Sequence, residues 1–182
     1  DDFADEIASA VLGDFCDRAE EWEQKEDFFK FPVGIGTFEN YPRFGNNAGP
    51  SPDGRFAQEA ISSNYSPAVG RDKNGPTAVL RSSTKFDLQR VNDGCPVDLK
   101  LSFSKSEEEG ARIVEGLIKS FIKLNGNLMT ITKVSTETLR QAQEEPEKYA
   151  SLRIRLGGLT AYFVQLAKPQ QDEYIRRTQH GI

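Results

Sequence analysis

The sequence contains few residues of the kinds that most often mark a catalytic or metal site. Its 182 residues include one His, one Met, one Trp and two Cys. His180 is the third residue from the end, so a Ser-His-Asp or Cys-His relay would rest on a chain end that we expect to be frayed. Cys16 and Cys95 are far apart and have no Cys-x-x-Cys spacing. The sequence therefore predicts no metal or iron–sulfur site within this chain.

Long apolar runs and basic clusters are also absent from the sequence. Apolar residues reach about four in a row, at 161–164, whereas a membrane-spanning helix needs about 20. No basic-then-apolar leader precedes Asp1, so we expect neither a membrane span nor an intact secretory signal. The 23 Lys and Arg residues against 28 Asp and Glu residues give a net charge of −5, with no basic cluster for a phosphate backbone. We expect no membrane and no nucleic acid as partner, and a reducing cytoplasm as the compartment.

The pattern of the sequence changes clearly along the chain. Apolar residues recur every three or four positions near the start, which predicts a helix over 3–27 from Phe3, Ile7, Val11, Phe15, Ala19 and Trp22. Over 28–74 the composition shifts to Gly, Pro, Asn and Ser, so we expect long ordered loops. We therefore divide a single domain into a leading helix (1–30), ordered loops (31–98) and a strand-and-helix segment (99–182).

The second half of the chain alternates between strand and helix patterns. Alternating or β-rich runs predict strands over 99–103, 128–133, 152–156 and 159–166. A capping box formed by Ser106 and Glu109 opens a helix that ends at Asn125-Gly126. Further helices are predicted over 136–144 and from Pro169 to Arg177. This order predicts an α/β fold.

Local patterns alone leave the glycines and cysteines open to ordinary structural interpretations. Gly157 and Gly158, between two predicted strands, are typical of a hairpin turn that needs positive φ. Gly34-Ile-Gly36 lacks the third glycine of a dinucleotide-binding motif. Cys16 is most simply a small buried hydrophobe. Cys95 follows a predicted turn, so it either faces a site or lies in the core, and the core is favoured.

A longer stretch around the two glycines carries a family resemblance. From position 152 the chain reads LRIRLGGLTAYFVQL, followed by QQDEYIRRT. This closely resembles the C-terminal signature of the glycyl radical enzymes, the pyruvate formate-lyase family. Arg155, Leu156, Gly157 and Gly158 occupy the places of its Arg, apolar residue, small residue and radical Gly, so the resemblance assigns the radical to Gly158. The family usually has Ser or Ala where this chain has Gly157, and an aromatic residue where it has Leu159. These departures leave Gly157 as a minor alternative position for the radical.

Upstream segments resemble the same family in the same order. They are Gly36-Thr-Phe-Glu-Asn-Tyr41, Ser51-Pro-Asp-Gly-Arg55, Ser66-Pro67 with Gly70 and Asp72, Gly75-Pro-Thr-Ala78, and Pro146-Glu-Lys-Tyr149. The stretch over 66–78 is more similar to the dehydratase and decarboxylase branch than to pyruvate formate-lyase itself. The family fold is a ten-stranded β/α barrel in which a Gly loop meets a Cys loop. The resemblance implies that this chain supplies the closing portion, with the Gly157-Gly158 loop between two strands, and that the thiyl-forming Cys lies outside it.

The resemblance also implies a function. The chain would be the radical-storing C-terminal domain of a lyase, such as a decarboxylase or dehydratase, that cleaves a C–O, C–N, C–S or C–C bond of a small polar molecule. A separate activating enzyme, carrying an iron–sulfur cluster and S-adenosylmethionine, would remove one hydrogen from Gly158, and this chain itself would bind no cofactor. Burial among Leu156, Leu159, Tyr162 and Phe163 would exclude oxygen and water. The other implied partners are the remainder of the barrel and a small-molecule substrate, in an anaerobic homo-oligomer.

Two alternatives remain open at this point. The chain could be a separate spare-part subunit that docks on a damaged glycyl radical enzyme and restores its Gly loop. It could also be a plain α/β interaction module in which the two glycines only form a turn. Exposed barrel edges and the apolar stripe of the first helix predict that an isolated fragment would self-associate or need its other portion.

Overall fold

The N-terminal helix is built as its sequence pattern predicts. The computed structural model describes residues 1–103, 106–156, 158–177 and 179–181. Helix α1 spans Asp2–Lys25, and the Asp1 carboxylate caps it by accepting from the Phe3 N–H at 3.1 Å. The helix buries Cys16 against the rest of the chain, whereas the apolar stripe stays open, with Phe3 72% and Val11 64% exposed. The stripe is therefore an apolar surface that the described residues do not cover.

The region after α1 is mostly irregular, as predicted, but it contains two helices that the sequence analysis did not predict. Helix α2 spans Tyr41–Asn46 and helix α3 spans Pro76–Ser83. Helix α3 begins after Gly75, which has a φ of 84°, and Pro76 suits the first turn because a helix leaves that N–H unpaired anyway. The interpretation of this stretch as loop was wrong there, because the flanking Gly and Pro residues hid a helix of only eight residues.

A parallel sheet forms the centre of the chain. Strand β1 (Pro96–Ser102) lies between β2 (Leu128–Lys133) and β5 (Gln179–Gly181), and both neighbours run parallel to it. Strand β5 was not predicted. The expectation of a frayed chain end was wrong, because residues 179–181 pair with the open edge of β1 and His180 is only 6% exposed.

The two helices that follow β1 and β2 agree closely with the predictions. Helix α4 spans Glu107–Lys123, and the Ser106 hydroxyl accepts from the Glu109 N–H at 3.3 Å. The chain turns after it at Asn125, which has a φ of 56°. Helix α5 spans Thr136–Glu144, with Ser135 as its N-cap.

The C-terminal part contains the two glycines between paired strands. Strand β3 (Arg153–Leu156) and strand β4 (Leu159–Tyr162) form an antiparallel hairpin in which Leu156 lies opposite Leu159. The β-rich run predicted to extend to residue 166 is shorter, because residues 163–165 form a turn of 3₁₀ helix. Helix α6 then spans Lys168–Arg176. The mixed α/β class is thus confirmed, with the described strands arranged in a three-stranded parallel sheet and this separate hairpin.

Three apolar clusters hold these elements together. One lies between β1, α3 and α4 and includes Leu99, Leu101 and Phe121. The second joins α5, the hairpin and α6, and the third joins α1 to the loops that precede β1. Within the described ranges, no helix has the length and apolar character to cross a membrane.

Candidate functional site

The backbone at Gly158 explains why glycine is needed there. Its φ is +91°, a region that residues with a Cβ rarely adopt. A Cβ built on it would first meet Leu128 Cδ2, at 3.8 Å, so space is not the restriction. The conformation, rather than crowding, is what selects glycine at this position. The rival candidate, Gly157, lies outside the described residues.

The hairpin is anchored on one face and open on the other. Ile154, Leu156 and Phe163 are at most 5% exposed in the second apolar cluster. The Arg155 N–H donates to Thr132 Oγ1 on β2 at 3.1 Å, which ties the hairpin to the central sheet. Within the hairpin the Arg155 guanidinium donates to Thr160 Oγ1 at 2.5 Å. Gly158 is therefore half-buried at the tip of a hairpin whose base is fixed.

The four residues that we expect to surround Gly158 in the closed enzyme differ in exposure in this chain. Leu156 and Phe163 are buried, but Leu159 is 58% exposed and Tyr162 is 38% exposed. Leu159 lies at the hairpin tip, beyond the cluster that covers Leu156. Tyr162 pairs with Arg153 on the outward face, where its ring lies 5.3 Å from the guanidinium. The described residues therefore leave one side of the hairpin open.

A buried polar layer lies beneath the C-terminal helix. The side chain of Asp98 on β1 accepts from Thr130 Oγ1 at 2.5 Å, Asn64 Nδ2 at 2.9 Å and Ser63 Oγ at 3.1 Å. Arg177, at the end of α6, lies 3.6 Å from Asp98 Oδ2 and donates to Ser63 Oγ at 2.8 Å. Directional bonds rather than apolar contacts therefore join the end of α6 to the sheet here.

Lys100 belongs to the same polar layer. It is 3% exposed, and its Nζ donates to the carbonyl oxygens of Ile175 at 3.1 Å and Tyr174 at 3.3 Å, in the last turn of α6. A cation is favoured there because the carbonyls at a helix C-terminus carry partial negative charge. Burial, assisted by the positive charge of Arg177, nevertheless lowers the pKa of Lys100 to about 8.

His180 completes the contacts between the chain end and the remainder of the fold. Its Nε2 lies 3.0 Å from Asp72 Oδ2, and both side chains are largely buried. Sequence reasoning missed this pair and the polar layer. Alternation over 99–103 marks a strand, but it does not show that the polar side of the strand is covered. The information missing from the sequence analysis was that residues 179–181 form a strand that pairs with β1.

The two cysteines lie in the core rather than in a site. Cys16 and Cys95 are 1% and 0% exposed and belong to the third apolar cluster. Burial raises the pKa of both thiols, that of Cys95 to about 11, so the nucleophilic thiolate is disfavoured. The core interpretation of Cys95 is therefore supported over the site interpretation. Among the residues that the structure describes, no group of three or more His, Cys, Asp or Glu residues could hold a metal ion.

Comparison with known proteins places the hairpin in a family. The family model described as "Glycine radical" matches residues 61–164, more than half of the chain. Indoleacetate decarboxylase from Tractidigestivibacter scatoligenes is 32% identical over 184 residues, which cover 99% of this chain and 20% of that protein. Isethionate sulfite-lyase from Nitratidesulfovibrio vulgaris is 34% identical over 148 residues, covering 80% of this chain and 18% of that protein.

A solved structure supports the same relationship at the level of the fold. A glycyl radical enzyme from Archaeoglobus fulgidus superposes with a TM-score of 0.89 at 32% identity, covering 100% of this chain and 23% of that chain. The chain belongs to the glycyl radical enzyme family, and it is a glycyl radical domain. It spans about one fifth of the length of the curated relatives it matches.

Proposed function

We propose that this chain stores a radical on the α-carbon of Gly158 for a lyase. The observation that carries the proposal is the position of Gly158, within the family-matched range, at the half-buried tip of a hairpin and with a φ of +91°. An α-carbon radical is stabilised by sharing its spin with the flanking amide groups, which requires a planar centre. Glycine suits this role because it has no Cβ to crowd the planar arrangement.

The radical is installed by a separate enzyme in this proposal. A radical S-adenosylmethionine activating enzyme removes a hydrogen atom from Gly158: the Cα–H bond breaks homolytically, the hydrogen leaves with the activating enzyme's radical, and the unpaired electron stays on Cα. The tip position supports this step, because a two-residue connection can be presented to a partner. The iron–sulfur cluster and S-adenosylmethionine belong to that partner rather than to this chain.

The stored radical then serves a reaction that involves the remainder of the enzyme. Gly158 acts as a reservoir that regenerates a thiyl radical on a cysteine outside this chain, and that thiyl abstracts hydrogen from the substrate. In the complete protein the chain forms the closing portion of a ten-stranded barrel, in an anaerobic, cytoplasmic homo-oligomer. The open face at Leu159 and Tyr162 supports an arrangement in which other parts of the enzyme cover the hairpin.

The proposed reaction is the cleavage of a C–C, C–S, C–O or C–N bond in a small polar molecule. Two similar proteins are named as a decarboxylase and a sulfite-lyase, which supports C–C and C–S cleavage among these choices. The similarity to the decarboxylase extends over 99% of the chain. This breadth favours a lyase domain over the alternative of a spare-part subunit, which would resemble the family mainly near the Gly signature.

Electron paramagnetic resonance tests the proposal directly. The protein containing this chain is mixed anaerobically with its activating enzyme, S-adenosylmethionine and a reductant, and its spectrum is recorded beside Gly158→Ala. We expect a glycyl doublet in the parent and none in the variant. Gly116→Ala is the matched control, since a Cβ there meets nothing within 4 Å and the doublet should persist. A doublet retained in Gly158→Ala but lost in Gly157→Ala would move the radical to Gly157.

A further inference from the structure

The polar layer beneath α6 contains a narrow cleft of about 30 Å³. Its walls come from β1, from the loop that precedes α3 and from the end of α6, and they include Ser66, Asp98, Glu173 and Arg177. A cavity needs roughly 10–15 Å³ of this volume to hold one water molecule. The cleft therefore has room for about two molecules the size of water, and it is too small for an organic substrate or a phosphate group.

Two of the residues that line this cleft each carry a buried polar atom without a partner. Among the described residues, neither Glu173 Oε1 nor Arg177 Nε has a hydrogen-bond partner. The Glu173 side chain is only 6% exposed, so bulk water does not satisfy it. Buried polar groups in folded proteins are paired in the great majority of cases, often through an ordered water molecule. The two unpaired atoms, on residues that line one cleft, thus point to a small ligand within it.

Other atoms of the two side chains already make contacts within the protein. Glu173 Oε2 lies 3.7 Å from Arg176 Nη1. The Arg177 guanidinium is stacked between two aromatic rings, 4.9 Å from Tyr41 and 4.8 Å from Tyr174. Turning Arg177 to satisfy Nε would break this stacking and its bond to Ser63. The geometry therefore favours an added molecule over a rearrangement of the side chains.

The chemistry of the two orphaned atoms selects the ligand. Arg177 Nε–H is a donor and Glu173 Oε1 is an acceptor, so the ligand must accept one hydrogen bond and donate another. A simple anion only accepts, and a metal cation would be repelled by the guanidinium. Water does both and has the right size. Burial raises the pKa of the Glu173 carboxyl, and water can pair with either protonation state of that group.

We propose that this cleft is an internal hydration site, in which an ordered water accepts from Arg177 Nε–H and donates to Glu173 Oε1. The water bridges two residues four positions apart at the C-terminal end of α6, beside the carbonyl groups that Lys100 contacts. It thereby completes the polar layer that seats the helix following the Gly158 hairpin. The site is independent of radical storage, so it stands or falls separately from the proposed function.

A crystal structure that resolves ordered water, determined for the protein containing this chain, tests the site. We expect a peak within hydrogen-bond distance of both Glu173 Oε1 and Arg177 Nε. Glu173→Gln keeps an acceptor oxygen and should keep the peak, whereas Glu173→Leu should lose it. Glu144→Leu, at an exposed position on α5, is the matched control and should leave the peak in place.

Three results would overturn the hydration site. They are a direct bond from Arg177 Nε to a protein oxygen, density that fits an ion heavier than water, and a peak that persists in Glu173→Leu. Because Glu173→Leu could fail to fold, the parent is also measured in solution by NMR. A cross-relaxation signal between water and the Arg177 Nε–H is expected, and its absence would equally refute the site.

Discussion

Burying the charge of Lys100 in the polar layer costs free energy, and the lowered pKa of this residue allows that cost to be measured. The residue is 3% exposed, and burial lowers its pKa from 10.5 to about 8. Between these two values the unfolded chain binds a proton that the folded chain has released, so the free energy of unfolding must rise with pH. The difference between the two pKa values corresponds to about 3 kcal/mol of stability gained between about pH 8 and pH 10.5.

Lys100→Met removes this titration while keeping a similar side-chain length. We expect the stability of the variant relative to the parent to fall by about 3 kcal/mol as the pH rises from about 8 to 10.5, because only the parent gains from deprotonation. Cys95 acts in the opposite direction above pH 9, since its raised pKa favours the unfolded thiolate, but it does so in both proteins and cancels in the difference.

Urea unfolding of both proteins at several pH values in this range provides the measurement. The comparison requires equal m-values, which show that the unfolded states are alike. Stability profiles that run parallel for the parent and Lys100→Met would refute the reasoning. They would mean that the Lys100 ammonium is hydrated in the folded protein and that the layer is not buried as the structure shows.

Two further substitutions test local packing by the same unfolding assay. Gly126→Ala places a Cβ 2.3 Å from the Phe121 ring, so it should cost about 1–3 kcal/mol of stability. Gly116→Ala should cost nothing, and an equal loss of stability in the two variants would contradict the close approach. Asn64→Ala removes the acceptor of two loop N–H groups and a donor to Asp98, so the free energy of unfolding should fall by about 1–3 kcal/mol. A fall below about 0.5 kcal/mol would show that the loop does not depend on the Asn64 side chain.

Elements with strong local signals could be predicted from the sequence. Helix α5 and strand β2 have the predicted bounds, and α1 ends two residues before the predicted end. Each of these has a period or a cap that is visible in a few neighbouring residues. Ser106, for example, accepts from the Glu109 N–H, which is one of the two bonds of the predicted capping box. Where the determinants are local, sequence reasoning is sufficient.

Elements that depend on distant partners could not be predicted in the same way. Strand β5 is three residues long and exists because β1 offers an open edge nearly 80 positions upstream. The burial of Lys100 likewise depends on α6, which packs over that side of the strand. The radical assignment to Gly158 depends on the family resemblance, because the local pattern alone favours a simple turn.

The arrangement of the clusters shows how the hairpin is positioned. The apolar cluster containing Leu156 and Phe163 includes residues of α5 and α6, and none of its buried members comes from β1 or β2. Apolar burial is non-directional, so this cluster holds the hairpin and α6 together without setting their register on the sheet. The register is set instead by directional bonds, from Arg155 to Thr132 and from Lys100 to the end of α6. The bond from Arg155 to Thr132 therefore places the hairpin that carries Gly158 on the sheet, while the bonds from Lys100 place the end of α6.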